Sequence, residues 1–278
     1  MAIAPSDGTF ESTGGAKIFY RSWRPAIAPK GVVAICHGFN SHSGQYQWVG
    51  EQFANRGFAV YALDLRGRGK SSGERFWVTD VAEYVADLAG LISLAKTREP
   101  GLKVFLLGHS AGGVISSTYT LDYQKELAGL ICESFAFRVP APRLALDAIS
   151  WLSGFAPRLG VLKLKNRDFT RDPAALAALE NDLLTQGENQ PAKTVAALWA
   201  ADKRLEKEFS RVTIPVLIMH GTADKATVPS GSQFFFDTTG SKDKTLKLYQ
   251  DHFHDLFADV GREQVMEDTL AWIEARTS

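Results

Sequence analysis

Apolar positions along the chain switch between a period of two, unbroken runs and helical spacing, in a regular order. "AKIFYRSW" alternates like a half-buried strand, and "GVVAICHG" is an unbroken apolar run of buried-strand length. "SGQYQWVGEQFANRG" then places apolar residues at helical spacing and stops at Gly57. The same exchange continues: "FAVYALDL" predicts a strand, "VAEYVADLAGLISLAK" a helix, "KVFLLGH" a strand, "AGGVISSTYTLDYQ" a helix and "LAGLICES" a buried strand. Near the end come "IPVLIMHG" (strand), "PSGSQFFFDT" (helix), "KTLKLY" (strand) and a last helix through "EQVMEDTLAWIEA". Strands that alternate with helices predict an α/β fold: a mostly parallel sheet flanked by helices on both faces.

One segment departs from that order. Residues 138–210 carry helical patterns and no convincing strand, which predicts a helical cap inserted into a core formed by 1–137 and 211–278. The chain has 278 residues, enough for such a domain, and 45% are apolar, as in folded globular proteins. With 31 basic and 31 acidic residues there is no surplus of charge to suggest a nucleic-acid partner. No window approaches ~18 uninterrupted apolar residues, and no basic start leads into an apolar run, so neither a spanning helix nor a secretory signal is expected. Cys36 and Cys132 fall inside strand-like runs and read as two buried thiols, which suits a reducing, cytoplasmic setting.

The chemistry begins at "VFLLGHSAGGV". A Gly-x-Ser-x-Gly pattern arises by chance in roughly one in ten chains of this length, so the context decides. Ser110 leaves a predicted strand and enters a predicted helix, at the carboxyl edge of the sheet where ligands bind in open parallel sheets. Gly108 and Gly112 suit the cramped turn called a nucleophile elbow, which exposes the hydroxyl at a helix N-terminus. A serine nucleophile needs a base and an acid that orients it, and α/β-hydrolases supply them in the chain order serine, acid, histidine. "IPVLIMHGTAD" puts Asp224 in the loop after a late strand; "KTLKLYQDHFHD" puts His252 and His254 after the last one. Glu133 is the competing acid, at the end of the strand where the cap begins.

The set "HGFNSHSGQY", "DLRGRGKSSG", "GHSAGG", "HGTADKATVP" and "YQDHFHDLFAD", in this order, resembles the monoacylglycerol lipase and lysophospholipase group of α/β-hydrolases over nearly the whole chain. In that group the base is the histidine of Tyr-x-Gly-x-x-His, and an acidic residue follows it. The resemblance therefore implies His254 as the base and Asp224 as the acid beside Ser110, with Asp251 where the group has glycine. It implies backbone N–H groups of Phe39 and Ala111 as the oxyanion hole, where many relatives have methionine in place of Ala111. His37, His42 and Ser43 match residues that shape the loop after the first buried strand.

Other motifs point to less. "DLRGRGKSSG" satisfies neither phosphate-binding glycine pattern. His252, His254, Asp255 and Asp259 lack a second ligand group at metal-site spacing, so no metal and no cofactor are expected. In the cap, Leu144, Leu146, Ile149, Trp151, Leu152, Phe155 and Leu159 exceed what an exposed helix carries. About half are expected to pack onto the core. The rest, with Leu144, Ile149, Trp151 and Phe155 as candidates, are expected to line an acyl site or to touch a membrane surface transiently. The expected activity is serine-dependent hydrolysis of lipid-like esters, monoacylglycerols first. The alternatives are a broad short-chain or aryl carboxylesterase, a lysophospholipase, and a ligand receptor with a vestigial triad.

Overall fold

The computed structural model describes residues 3–277. Ten strands and eight α-helices follow one another as β1 (Ser6–Glu11), β2 (Lys17–Trp23), β3 (Gly31–Cys36), α1 (Gln47–Asn55), β4 (Phe58–Leu63), α2 (Val81–Arg98), β5 (Val104–His109), α3 (Ala111–Tyr123) and β6 (Gly129–Glu133). The chain continues as α4 (Arg143–Leu152), β7 (Gly160–Leu162), α5 (Pro173–Glu180), β8 (Gln190–Pro191), α6 (Ala192–Glu208), β9 (Val216–Gly221), α7 (Pro229–Thr238), β10 (Lys244–Tyr249) and α8 (Arg262–Glu274). Eight strands form one sheet in the order β1-β2-β4-β3-β5-β6-β9-β10. Within this sheet only β1–β2 and β2–β4 pair antiparallel, so β3, β4, β5, β6, β9 and β10 all end at the same edge.

The strand pleat sorts side chains onto two cores. Val32, Ala34 and Cys36 of β3 face a cluster with Leu88 of α2, Ile115 of α3, Leu205 of α6 and Phe235 of α7. Val33 and Ile35 face the other side, with Phe53 of α1 and Met266 and Leu270 of α8. The unbroken apolar runs follow from this: β3, β4, β5, β6 and β9 are buried on both faces. Helix α2 begins at Asp80, whose carboxylate and Glu83 form a capping box. Gly57, at φ 86, turns the end of α1 into β4.

Two differences from the sequence reading stand out. Edge strand β1, "SDGTFE", is largely exposed and carries too few apolar residues to register as a strand. Between β6 and β9 the chain is helical, but it also contains a short antiparallel ribbon, β7 with β8, in which Gly160 opposes Pro191 and Leu162 opposes Gln190. Two- and three-residue strands have no detectable period. Cys36 and Cys132 are free and buried, in register on either side of Gly108, and burial pushes both thiols up to about 12.

Candidate active site

Ser110 stands between β5 and α3 with φ 54 and ψ −121, a backbone conformation that L-residues rarely adopt. Its neighbours enforce the turn. A Cβ on Gly112 would lie 2.1 Å from the Cys36 carbonyl oxygen, and one on Gly108 would lie 2.5 Å from Ser116 Oγ. The turn is tied by Ser110 N–H to the Glu133 carbonyl at 2.9 Å and by Gly113 N–H to the Ser110 carbonyl at 2.9 Å.

Asp224 lies in the loop after β9, where five donors converge on its carboxylate. Oδ1 accepts from the N–H groups of Ala226 (2.8 Å) and Thr227 (3.0 Å). Oδ2 accepts from Thr227 Oγ1 at 2.6 Å and His254 Nδ1 at 2.8 Å, and His220 Nε2 lies 3.1 Å away. Burial opposes the charge, but His254 and His220 hold this carboxyl well below the usual carboxylate range. His254 is itself buried, which disfavours its charged form; Asp224 outweighs this and raises its pKa above the ordinary imidazole value. With Nδ1 committed to Asp224, Nε2 is the ring nitrogen left for proton transfer. Among the described residues neither His254 Nε2 nor Ser110 Oγ makes a hydrogen bond, so the serine–histidine contact is open here.

His252 turns elsewhere, with Nδ1 3.1 Å from the Gln250 carbonyl. Asp251, at the position where the resembled group has glycine, has φ 61, the conformation that glycine adopts without cost. Glu133 does not reach His254. It meets His109 and Asp255, and its Oε1 accepts weakly from Phe257 N–H at 3.3 Å. Among the described residues these three bring ligand-type atoms within 4.8 Å of one another. The grouping of His252 with Asp259 is not assembled, because Asp259 is taken up by Arg171 and by the Phe253 N–H.

Phe39 and Ala111 line one cavity with Ser110, and neither backbone N–H has a partner among the described residues. The Phe39 loop is braced from two sides. His37 Nδ1–H donates to the Gly38 carbonyl at 2.7 Å while its Nε2 accepts from Leu65 N–H, and burial lowers its pKa to about 3. Arg68, fully buried, stacks 4.2 Å from the Phe39 ring and pairs with Glu188, whose Oε1 accepts from Asn40 N–H at 2.9 Å. His42 reaches Asp182 at 2.7 Å. Among the residues of this site that went unmarked in the sequence are His220, inside a strand run, Arg68, inside a glycine-rich loop, and Thr227, which bonds Asp224.

The cavity at Ser110 encloses about 80 Å³ and is walled mainly by Leu146, Leu162, Leu164, Val195, Leu198 and Trp199. Leu144, Ile149, Trp151 and Phe155 are not among its walls, so of the two roles expected for them the lining of this cavity is not the one they take here. Leu144, Trp151 and Phe155 are 82%, 70% and 74% exposed, and Ile149 is half-buried. The reason is helical phase: Leu146 points inward from α4, which turns Leu144 and Trp151 to the opposite, outer face.

The family model described as "serine aminopeptidase, S33" matches residues 27–261. A monoacylglycerol lipase of Mycolicibacterium smegmatis is 32% identical over 270 residues, 96% of each chain. The crystal structure of Paleococcus ferrophilus monoacylglycerol lipase superposes with a TM-score of 0.82 at 27% identity, over 99% of this chain and 100% of that one. A soluble variant of the Saccharomyces cerevisiae monoglyceride lipase, in complex with a substrate analog, reaches a TM-score of 0.89 at 24% identity, over 99% and 96%; at that identity the likeness carries the fold alone. No helix among the described residues is long and apolar enough to cross a membrane. The chain belongs to the serine aminopeptidase S33 family and, within the α/β-hydrolases, to the monoacylglycerol lipase group of serine ester hydrolases.

Proposed function

We propose that this protein hydrolyses carboxylic esters of lipid-like substrates, monoacylglycerols first among them, through an acyl-enzyme on Ser110. One observation carries the reading: His254 Nδ1 is held 2.8 Å from a buried, ionised Asp224, beside a serine on a strained turn that opens onto an apolar cavity. In the acylation step His254 Nε2 takes the proton from Ser110 Oγ as that oxygen attacks the ester carbonyl. The Phe39 and Ala111 N–H groups receive the oxyanion. The intermediate collapses, the C–O bond to the alcohol breaks, and His254 returns the proton to the leaving oxygen. Water, deprotonated by His254, then attacks the acyl-enzyme and releases the acid. The Ser110–His254 contact tightens when substrate enters. Each step uses groups of this chain and water, with no cofactor or metal. The names of the relatives support the glycerol ester as substrate.

Residues 138–210 act as the lid over this site in our reading. Leu144, Trp151 and Phe155 share its outer face, with the Trp151 and Phe155 rings 4.9 Å apart, which supports transient contact with a membrane surface by an otherwise cytoplasmic protein. A small-ester carboxylesterase is favoured by a different observation, the volume of about 80 Å³ at Ser110. The experiment is fatty-acid release from a monoacylglycerol, beside a short-chain p-nitrophenyl ester and a lysophospholipid, with Ser110→Ala as control. Fast serine-dependent release from the monoacylglycerol supports the lipase reading; activity on the short ester alone moves the assignment to the carboxylesterase. Retained activity in Ser110→Ala would sink both.

A further inference from the structure

Beside Ser110 itself and Thr227, whose hydroxyl is taken up by Asp224, the walls of the cavity at Ser110 are largely hydrocarbon, but Asp202 of α6 also enters the lining. Asp202 is 8% exposed, and its Oδ1 is cut off from solvent with no hydrogen-bond partner. Nearby donors are spent on other groups. Trp199 Nε1–H donates to Asp147 at 2.7 Å, Arg143 pairs with Glu206 at 2.5 Å, and the Arg138 guanidinium lies over the Phe234 ring. Beyond Asp202 lies a second cavity of about 430 Å³, which shares Val139, Leu146, Trp199 and Asp202 with the first. The carboxyl therefore stands at the junction between the small chamber at the serine and the larger space that leads outward.

A buried polar group without a partner is rare in native proteins and costs stability, so its presence in a ligand cavity calls for a partner that arrives with the ligand. We infer that Asp202 is a specificity-determining residue, and that the preferred ester carries a hydroxyl on its acyl group that hydrogen-bonds to this carboxyl. The inference rests on the ester-hydrolase reading above. Burial, with Glu206 nearby, raises the Asp202 pKa well above its ordinary value and so favours the protonated form, which both donates and accepts, as a hydroxyl does. The leucine, valine and tryptophan walls suit methylenes between the scissile carbonyl and that hydroxyl. A plain alkyl chain passing the same point would cover the carboxyl and leave it unpaired, and sites of this kind reject the analogue that lacks the polar group. The leucine, valine and tryptophan side chains that make up most of the lining suit the acyl rather than the polyhydroxylated alcohol part in this cavity.

The test compares kcat/KM for methyl esters of ω-hydroxyalkanoic acids of six to ten carbons with alkanoic esters in which a methyl replaces the hydroxyl. Glyceryl octanoate against propyl octanoate reports on the alcohol side. Wild-type enzyme is expected to favour the hydroxylated acyl group by about tenfold or more at one chain length. Asp202→Asn should keep part of that preference, and Asp202→Val should reverse it by accelerating the alkyl ester. Asp202→Val removes an unpartnered buried carboxyl, so its melting temperature should hold or rise. An alkyl preference of wild type at every length would overturn the inference whether or not the valine variant folds. So would an equal ratio in wild type and Asp202→Val, or a change confined to the glyceryl–propyl pair. If wild type cleaves no ester and an alkyl fluorophosphonate fails to label Ser110, the ester-hydrolase reading itself falls, and this inference falls with it.

Discussion

Ser110 can hold its strained φ and ψ because Gly108 and Gly112 carry no Cβ to collide with Ser116 and the Cys36 carbonyl in the tight turn out of β5. Asp224 is held differently, by pairing. Replacing it with asparagine keeps the shape but removes the charge that fixes the His254 tautomer, and kcat should fall by about 10⁴ with the fold intact. Steady-state kinetics beside a melting scan check this; a loss below tenfold would mean another acid orients His254. Asp251 is the opposite case, a residue in a left-handed conformation with no steric need for a side chain. Asp251→Gly should leave kcat/KM unchanged and stabilise the protein by up to about 1 kcal/mol in urea unfolding. At this scale the serine, the acid and both candidate histidines were legible, because chemistry-bearing types at strand ends are conspicuous. Asp202 was not. An acid followed by Lys203 and Arg204 on a helix reads as a solvated face, and only the packing of α6 against the cavity reveals that it is buried.

Elements of the core announced themselves because a buried strand must be apolar on both faces, and β3, β5, β6 and β9 are. The segment between β6 and β9 was legible as helical but not in detail, since the phase of α4 depends on what it packs against. Four apolar residues assigned to the site consequently fell outside it. The same phase gives the outer face of α4 its Leu144 and Trp151, with Phe155 just beyond the helix end. Trp151→Ser with Phe155→Ser should abolish flotation with liposomes while hydrolysis of a soluble short-chain ester stays within twofold of wild type; undiminished flotation would remove the membrane role. Across the inner face, Arg68 and Glu188 join the loop after β4 to the start of β8 by a pair that is almost wholly buried. Arg68→Met strands the Glu188 charge, which should cost about 3–5 kcal/mol. It should also loosen the Asn40 N–H that Glu188 holds, so that kcat suffers beyond the loss of stability. Thermal unfolding reads the first effect, and kcat measured well below the new melting point reads the second.

For the molecule as a whole, activity and stability should slope in opposite directions with pH. His254 must be neutral to act as the base, and its pKa is raised, so the rising limb of kcat/KM should have its midpoint above 6.5. The proton that this histidine binds more tightly when folded adds stability below 6.5 that is lost as pH rises through the folded value. Glu133 acts in the same sense through burial. Its pKa rises from 4.5 to about 7, mainly by desolvation, with His109 pulling down and Asp255 pushing up. Between those two values the folded chain binds a proton that the unfolded chain has released, so stability must fall as pH rises across that window, by about 3 kcal/mol in total. Glu133→Gln keeps the shape and the acceptor for Phe257 N–H but carries no proton to lose. It should match wild type in urea unfolding at pH 4.5 and exceed it by about 2–3 kcal/mol at pH 8. If the two proteins instead keep parallel stability profiles from pH 4.5 to 8, Glu133 stays ionised when folded. The Glu133 carboxyl, beside His109 and Asp255, would then be a fixed charge rather than the holder of a proton.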